Sequence, residues 1–474
     1  MHDMNRFTAV LTASVLGTYL IVALGATTAA TGTATIAAGH YVLAAGVWGL
    51  LLAVTVLAIR QQRDRLVRIG ALTVLLAYPV QALIGMLGLF ETSVFTAELH
   101  LFGGIAVFSM ILLTLVWHLD REIAPTAGTH LELPNEQAAP TGGTSDAARQ
   151  EGQGESFAAE AELATEEVVS GELGAERGTQ SHRAWIQTRA MAYISLTKPR
   201  LMWLLCLLAL GGMTLATITG APLDGVTVVA TLAGGVLAIG ASATFNHVYE
   251  RDRDSKMDRT AERPVATETV GPVRALVFGA VLFAASMGIL LAFVNELAAL
   301  LTAVAAVYYA IVYTVLLKPS TMYNTVLGGG AGALPAVIGW VAVTGSIGIP
   351  AVLLAAVVFA WTPAHFYNLA IVYRDDYDAA GYPMLPVVRG IDETRRRIVY
   401  WLGTTLIATA VLGGVAGFGY LYVGTVTGVG GVFLWSVVKQ YRIDTPRAAY
   451  RSFHASNTYL GVVLVAILVE TVLI

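Results

Sequence analysis

Apolar residues recur along the chain in thirteen runs of about 20, the length that carries a helix across a bilayer core. Four lie near 8–30, 39–59, 67–89 and 99–119. Nine more lie near 200–218, 226–248, 273–293, 297–317, 324–344, 350–372, 398–417, 419–438 and 455–474. Each run is too long for a barrel strand and lacks alternation, so the pattern predicts an all-α membrane protein. The first run exceeds the apolar core of a secretion signal and shows no clear cleavage site, so it reads as a retained helix. Between the fourth and fifth runs the pattern stops. Residues 122–182 are rich in Glu, Ala, Gly and Thr and nearly devoid of large apolar side chains. Such a segment cannot bury enough surface to offset chain entropy, which predicts a disordered linker. The expected organisation is a four-helix transmembrane bundle (1–121), an acidic linker (122–182) and a nine-helix transmembrane bundle (183–474).

Composition agrees. Hydrophobic residues make up 56% of the chain and charged ones 13%, against roughly 25% charged in a soluble domain, which excludes an ordinary soluble enzyme. The one cysteine, Cys206, falls inside a run, so no intrachain disulfide forms. The formal charge of -4 hides a division: residues 122–176 hold 12 acids and one base, Arg149, while the rest holds 20 acids and 27 bases. Only 4 of the 28 bases are Lys, a scarcity beside abundant acid that points to a salt-adapted source. With the N-terminus in the cytoplasm, thirteen spans place every Lys and Arg on the cytoplasmic side and the C-terminus outside. Membrane lipid is the surrounding partner this implies, and nothing points to nucleic acid.

Two polar clusters interrupt the apolar pattern. In the first, Asn246, Glu250 and Asp254 fall within about 80° of one helical face. Stacked carboxylates repel unless a cation lies between them, and hard oxygen ligands suit Mg²⁺ shared with substrate phosphates. Lys256, Arg259 and Arg263 follow and are able to neutralise phosphate oxygens. The plainer reading is a charged loop in which six acids pair with six bases between 249 and 274. Asn246, in register with the carboxylates at the end of an apolar run, favours a site. In the second cluster, His365, Asn368 and Asp376 share a face if the helix persists, with Asp375 alongside. Gly381, Pro383 and Pro386 then break it. A lone histidine at a membrane end is usually structural; Asn368 and Asp376 on its stripe leave a functional role open.

Several further motifs occur in order: Leu196-Thr-Lys198-Pro-Arg200; Met257, Arg259-Thr260 and Arg263-Pro264; Tyr313 to Lys318; Asn324, Gly328 to Pro335 and Gly339-Trp340; Trp361-Thr-Pro; and Asp376-Tyr377 followed by Gly381 to Pro386. From about residue 190 onward the chain resembles the intramembrane prenyltransferase superfamily, and within it the heme O synthases (protoheme IX farnesyltransferases). The Pro-Met-Leu-Pro run separates these from quinone and lipid prenyltransferases. Glu250 stands where many members carry Asp, and Pro319 where a base is common. The resemblance implies transfer of farnesyl from farnesyl diphosphate to a vinyl group of protoheme IX, with water added, giving heme O. It implies a catalytic set of Asn246, Glu250, Asp254, His365 and Asp376. It further implies one Mg²⁺ on Asn246, Glu250 and Asp254, and a second metal or its waters on Asp375 and Asp376. Diphosphate contacts are expected from Lys198, Arg200, Lys256, Arg259, Arg263 and Lys318. Tyr308, Tyr309 and Tyr313 offer π faces to an allylic cation, although tyrosines are common near membrane interfaces. The alternatives are a prenyltransferase for a quinone precursor or glycerol lipid, and a non-catalytic haem carrier.

In the first four runs, His40 opens the second and His100 the fourth, at similar depth on parallel helices. That arrangement suits bis-imidazole haem ligation, although two level histidines in four spans also arise by chance. His118 is not level with them. Arg6, Leu20 to Gly25, Thr31-Gly32, Gly39-His40, Gln81, Gly85, Gly88 and Leu99-His100 resemble one four-helix half of heme A synthase. Ala37 and Tyr41 replace the Glu and Arg of the oxidising half. The resemblance implies a b-type haem on His40 and His100 rather than a complete oxidase. It also implies a copy of this chain, heme A synthase or oxidase assembly proteins as partners.

Overall fold

The computed structural model describes residues 5–31, 34–87, 94–123, 182–443 and 445–473. Most of the expected linker, 124–181, lies outside the described residues, as do Gly32 and Gly88. Four helices come first: α1 (Arg6–Thr31), α2 (Ala34–Arg60), α3 (Arg65–Leu87) and α4 (Val94–Ile123). After α5 (His182–Leu196) follow α6 (Pro199–Ala216), α7 (Gly225–Asp254), α8 (Pro272–Phe293) and α9 (Glu296–Val307), which continues as a π-helix over Tyr308–Leu317. Then come α10 (Asn324–Thr344), α11 (Ile349–Val372), the short α12 (Arg374–Ala379), α13 (Leu385–Ala416), α14 (Tyr420–Arg442) and α15 (Pro446–Leu473). Among the described residues, thirteen helices are long and apolar enough to cross a membrane, as the thirteen runs predict. The chain is a multi-pass, all-α membrane protein.

Local chemistry sets the helix ends. Asp224 caps α7 by accepting the Thr227 N–H at 3.0 Å, and Asn295 caps α9 by accepting that of Ala298 at 2.8 Å. Proline occupies the first turn of α6, α8, α11 and α13, where its missing N–H costs nothing. Glycine is required where α6 crosses α10. A Cβ on Gly212 would strike the Ala336 carbonyl, and one on Gly339 the Ala209 carbonyl. Small residues at such crossings let membrane helices approach until their backbones touch.

Among the described residues, the beginning of α5 belongs to one compact unit and the other long helices to a second. The sequence separates 1–121 from 183–474, yet α1–α4 and the helices from α6 onward belong to the same unit. Helices α1 and α4 lie on α13 and α14. Leu112 of α4 seats against Gly403, Ala26 of α1 against Gly414, and Leu16 against Gly431. Charge completes the joint. Arg442 reaches Glu122 at 2.9 Å and the Thr8 hydroxyl at 3.0 Å, and Arg396 reaches Asp120 at 2.9 Å. His118, buried here, contacts Thr8 Oγ1 at 2.9 Å and Glu122 at 3.3 Å.

Three local features depart from the simple pattern. The last ten residues of the 297–317 run wind as a π-helix instead of an α-helix. The helix carrying His365 ends at Val372, and Tyr373 turns the chain (φ -106°, ψ 32°) before α12 begins. Helix α13 starts at Leu385, ahead of the expected span, and is kinked where Gly390 takes a left-handed conformation (φ 82°, ψ 172°).

Candidate active site at the end of α7

Asn246, Glu250 and Asp254 line one face of the last turns of α7, and all three are buried, at 2%, 1% and 0% exposure. Each has a cationic partner from a different part of the chain. Lys198, just ahead of α6, places Nζ 2.5 Å from Asn246 Oδ1. Lys318, just after the π-helix, places Nζ 2.6 Å from Glu250 Oε1. Arg263, in the loop after α7, donates to both oxygens of Asp254 at 2.8 Å and lies 4.0 Å from Glu250. Two carboxylates and an amide oxygen thus meet three bases at one end of the bundle, with Arg263 nearest Asp254 and within 4.0 Å of Glu250. Buried charges are retained only when paired in this way.

The backbone around the stripe is specialised. Lys198 adopts a left-handed conformation (φ 54°) before Pro199, at a cost of about 1–2 kcal/mol for a residue with a side chain. Desolvation, with the neighbouring Arg263 cation next, draws its ammonium down to about 7. The π-helix brings Thr314 Oγ1 back to the Tyr309 carbonyl at 2.9 Å and presents the same hydroxyl to Asn246 Nδ2 at 3.2 Å. Tyr309 and Tyr313 stack with centroids 5.9 Å apart, and the Tyr309 hydroxyl lies 3.4 Å from Lys198 Nζ. π-Helical turns of this kind concentrate at functional sites. Tyr308 instead donates to the Leu327 carbonyl at 2.9 Å.

The loops after α7 and α11 close over this end. Met257 packs with Ala370, Tyr377, Ala380, Tyr382 and Met384 in one buried cluster. The Tyr382 ring receives Lys318 Nζ at 4.5 Å and the Arg253 guanidinium at 5.0 Å. Arg259 lies over the Tyr373 ring at 4.7 Å and donates to the Tyr377 hydroxyl at 3.4 Å.

Residues 204–460 match the model of the UbiA prenyltransferase family. The chain belongs to the UbiA family. A relative named protoheme IX farnesyltransferase 2, from Natronomonas pharaonis, is 57% identical over 99% of this chain and 100% of its own length. A protoheme IX farnesyltransferase from Mycobacterium sp. is 40% identical over 61% of this chain and 93% of its own. A solved digeranylgeranylglyceryl phosphate synthase aligns with a TM-score of 0.50 at 15% identity, covering 60% of this chain and 100% of that one. That likeness concerns the fold.

Not every residue expected in the site of this UbiA-family protein reaches the stripe. Lys198, Arg263 and Lys318 do. Arg200 and Lys256 are exposed, and Arg259 is occupied with Tyr373 and Tyr377. Asp375 is exposed and Asp376 half-buried on the first turn of α12, and neither carboxylate pairs with a side chain among the described residues. Because Tyr373 breaks the helix, His365 and Asp376 do not continue one stripe. His365 instead stacks 4.2 Å from Trp361 and 4.4 Å from Phe453, with Nδ1 2.6 Å from Ser456 Oγ, clasping α11 to α15. Asn368 turns its amide back to the Ala364 carbonyl at 2.7 Å. Thr314 and Tyr382 are additions that no spacing rule singles out.

In the first four helices, the His40 and His100 rings face each other with centroids 6.2 Å apart. His100 Nδ1 is held by Gln81 of α3 at 2.9 Å, whereas His40 Nδ1 is buried with no partner. Gly85 makes room for the His100 ring and Gly25 for that of His40.

Proposed function

We propose that this chain transfers the farnesyl group of farnesyl diphosphate to a vinyl group of protoheme IX, adding water to give heme O. The meeting of two buried carboxylates and a buried amide oxygen with three bases carries this reading, together with the names of its full-length relatives. Among the described residues no three His, Cys, Asp or Glu side chains converge as a metal cage. Two carboxylates and an amide oxygen instead fit Mg²⁺ that takes its remaining ligands from diphosphate and water. When bound, the metal neutralises charge building on the departing diphosphate.

The chain's own groups do the rest. Lys198, Arg263 and Lys318 now sit on the oxygens of Asn246, Asp254 and Glu250; with Mg²⁺ and diphosphate bound, the three cations would serve the phosphate oxygens and Asn246, Glu250 and Asp254 would hold the metal. Tyr309 and Tyr313 border the place where allylic charge develops. The burial of α7 and the Tyr377–Tyr382 cluster keep bulk water from that charge. The Lys and Arg distribution favours a cytoplasmic position for this end of the bundle.

Haem extracted from cells that make the full chain, resolved by chromatography, tests the proposal. Farnesylated haem is expected; its absence, or farnesylation of a quinone precursor in its place, overturns it.

The facing rings of His40 and His100 favour a second role. We infer that they ligate a b-type haem through Nε2, with Gln81 fixing the His100 ring through Nδ1. A four-helix unit built onto the enzyme then holds haem beside the catalytic bundle, and heme A synthase or oxidase assembly proteins are its candidate recipients.

A further inference from the structure

His247 follows Asn246 on α7, and both of its ring nitrogens are buried with no hydrogen-bond partner. The side chain is 3% exposed. Among the described residues no other histidine has both nitrogens in that condition. On the helix it lies about 20° from Asp254 and about 60° from Glu250, roughly 10 Å further into the span than Asp254. It therefore lies at the edge of the polar stripe, on the Asp254 side and about 100° around the helix from Asn246. Buried polar groups in native proteins are paired, and an orphan at a site marks a place for a ligand.

The chemistry of that ligand follows from counting donors and acceptors. A neutral imidazole has one donor and one acceptor nitrogen. The oxygens of an ionised diphosphate accept only, so they satisfy one nitrogen at most. The other accepts and needs a donor, and the reactant in heme O formation that brings one is water. An apolar span offers few places to hold it. We propose that His247 is a positioning residue for the water that adds to the haem side chain. This rests on the farnesyl-transfer reading of the site.

The farnesyl C1–O bond breaks with its electron pair leaving on the diphosphate. The vinyl π pair forms the new C–C bond at its terminal carbon, leaving the inner carbon electron-deficient. The oxygen of the held water bonds to that carbon, and the proton it releases passes to the departing diphosphate. No oxidant or reductant enters. Without a held water, the same cation loses a proton from the adjacent carbon and yields an alkene lighter by one water.

The test uses the full chain with farnesyl diphosphate, Mg²⁺ and protoheme, reading the ratio of hydroxylated to water-free farnesylated haem by mass spectrometry. His247→Leu is expected to raise the water-free share about tenfold or more, while His247→Gln, which keeps a donor and an acceptor, stays within about threefold of the unaltered chain. A merely structural residue lowers total product and leaves the ratio alone. An unchanged ratio in H247L overturns the proposal, as does loss of all farnesylated haem in both H247L and His247→Ala. Absence of farnesylated haem from the unaltered chain would instead remove the farnesyl-transfer reading itself.

Discussion

Arg263 places Nη1 2.8 Å from each carboxylate oxygen of Asp254, folding the loop after α7 back onto the helix it leaves. Thr260 supports that return by donating to the Asp254 carbonyl at 3.0 Å. In the proposed reading, the base suited to a phosphate thus rests on the carboxylate suited to a metal, and substrate binding is expected to separate them. Asp254→Asn keeps the shape and removes the charge. Its kcat/KM for farnesyl transfer is expected to fall by about 10²–10³, the scale of one lost electrostatic group in a dry site. Initial rates with the purified full chain measure this, and a loss below tenfold would place the metal elsewhere.

Lys318 and Glu250 form the second pair, with the carboxylate almost wholly buried. Removing only the base, as in Lys318→Met, leaves a buried anion with Arg263 as a more distant partner. A loss of about 3 kcal/mol is expected, the lower end for breaking a buried pair. Adding Glu250→Gln to that variant should restore most of it. Unfolding in detergent for the two single variants and the double variant supplies the cycle, and additive effects would contradict the coupling.

Chelation should weaken binding of an unreactive farnesyl thiodiphosphate, and added Mg²⁺ should restore it. Glu250→Gln is expected to blunt that response, because Asn246 and Asp254 then supply the protein's share alone. Calorimetry with and without Mg²⁺ distinguishes the two; equal affinity in both conditions argues against a metal-bound diphosphate.

Leu112 fills the space that Gly403 leaves open, which joins α4 to α13. Gly403→Leu is expected to destabilise the chain by about 1–3 kcal/mol through overpacking. Pairing it with Leu112→Ala should recover part of that. Thermal unfolding of the three variants reads the effect, and an unaffected midpoint in G403L would show that the joint is loose.

If His40 and His100 ligate haem, His40→Ala and His100→Ala should each abolish the Soret band of the purified full chain, or shift it to that of a singly ligated haem. Gln81→Leu, which removes only the support of His100, should weaken retention of the haem. Unchanged spectra in both histidine variants would end the ligand assignment.

The thirteen spans were legible because bilayer length and hydropathy act on every residue of a helix at once. The Asn246–Glu250–Asp254 stripe was legible for the same kind of reason: spacing within one regular helix is periodic. Lys318 and Lys198 emerged from motif resemblance, since no local rule ties residues 68 and 48 positions away to α7. The π-helix at Tyr308 stayed hidden, because its residues are as apolar as those of an α-helix and only the wider turn brings Thr314 to Asn246. Helical spacing does not carry from His365 to Asp376, because the chain turns at Tyr373 and no local pattern marks that turn. Docking of α1–α4 on α13 and α14 depends on small residues meeting large ones across long separations, as at Gly403 and Leu112, which one sequence does not display. His247 is harder to read, since it lies about 100° around the helix from Asn246 and is near the stripe only through Asp254, about 20° away.

Farnesyl transfer to haem by the purified full chain is the most direct measurement. With farnesyl diphosphate, protoheme and Mg²⁺, the expected product is haem heavier by one farnesyl group and the elements of water, formed by the unaltered chain and lost in Asp254→Asn. Farnesylated haem formed equally well by Asp254→Asn, or none formed by the unaltered chain, would contradict the assignment.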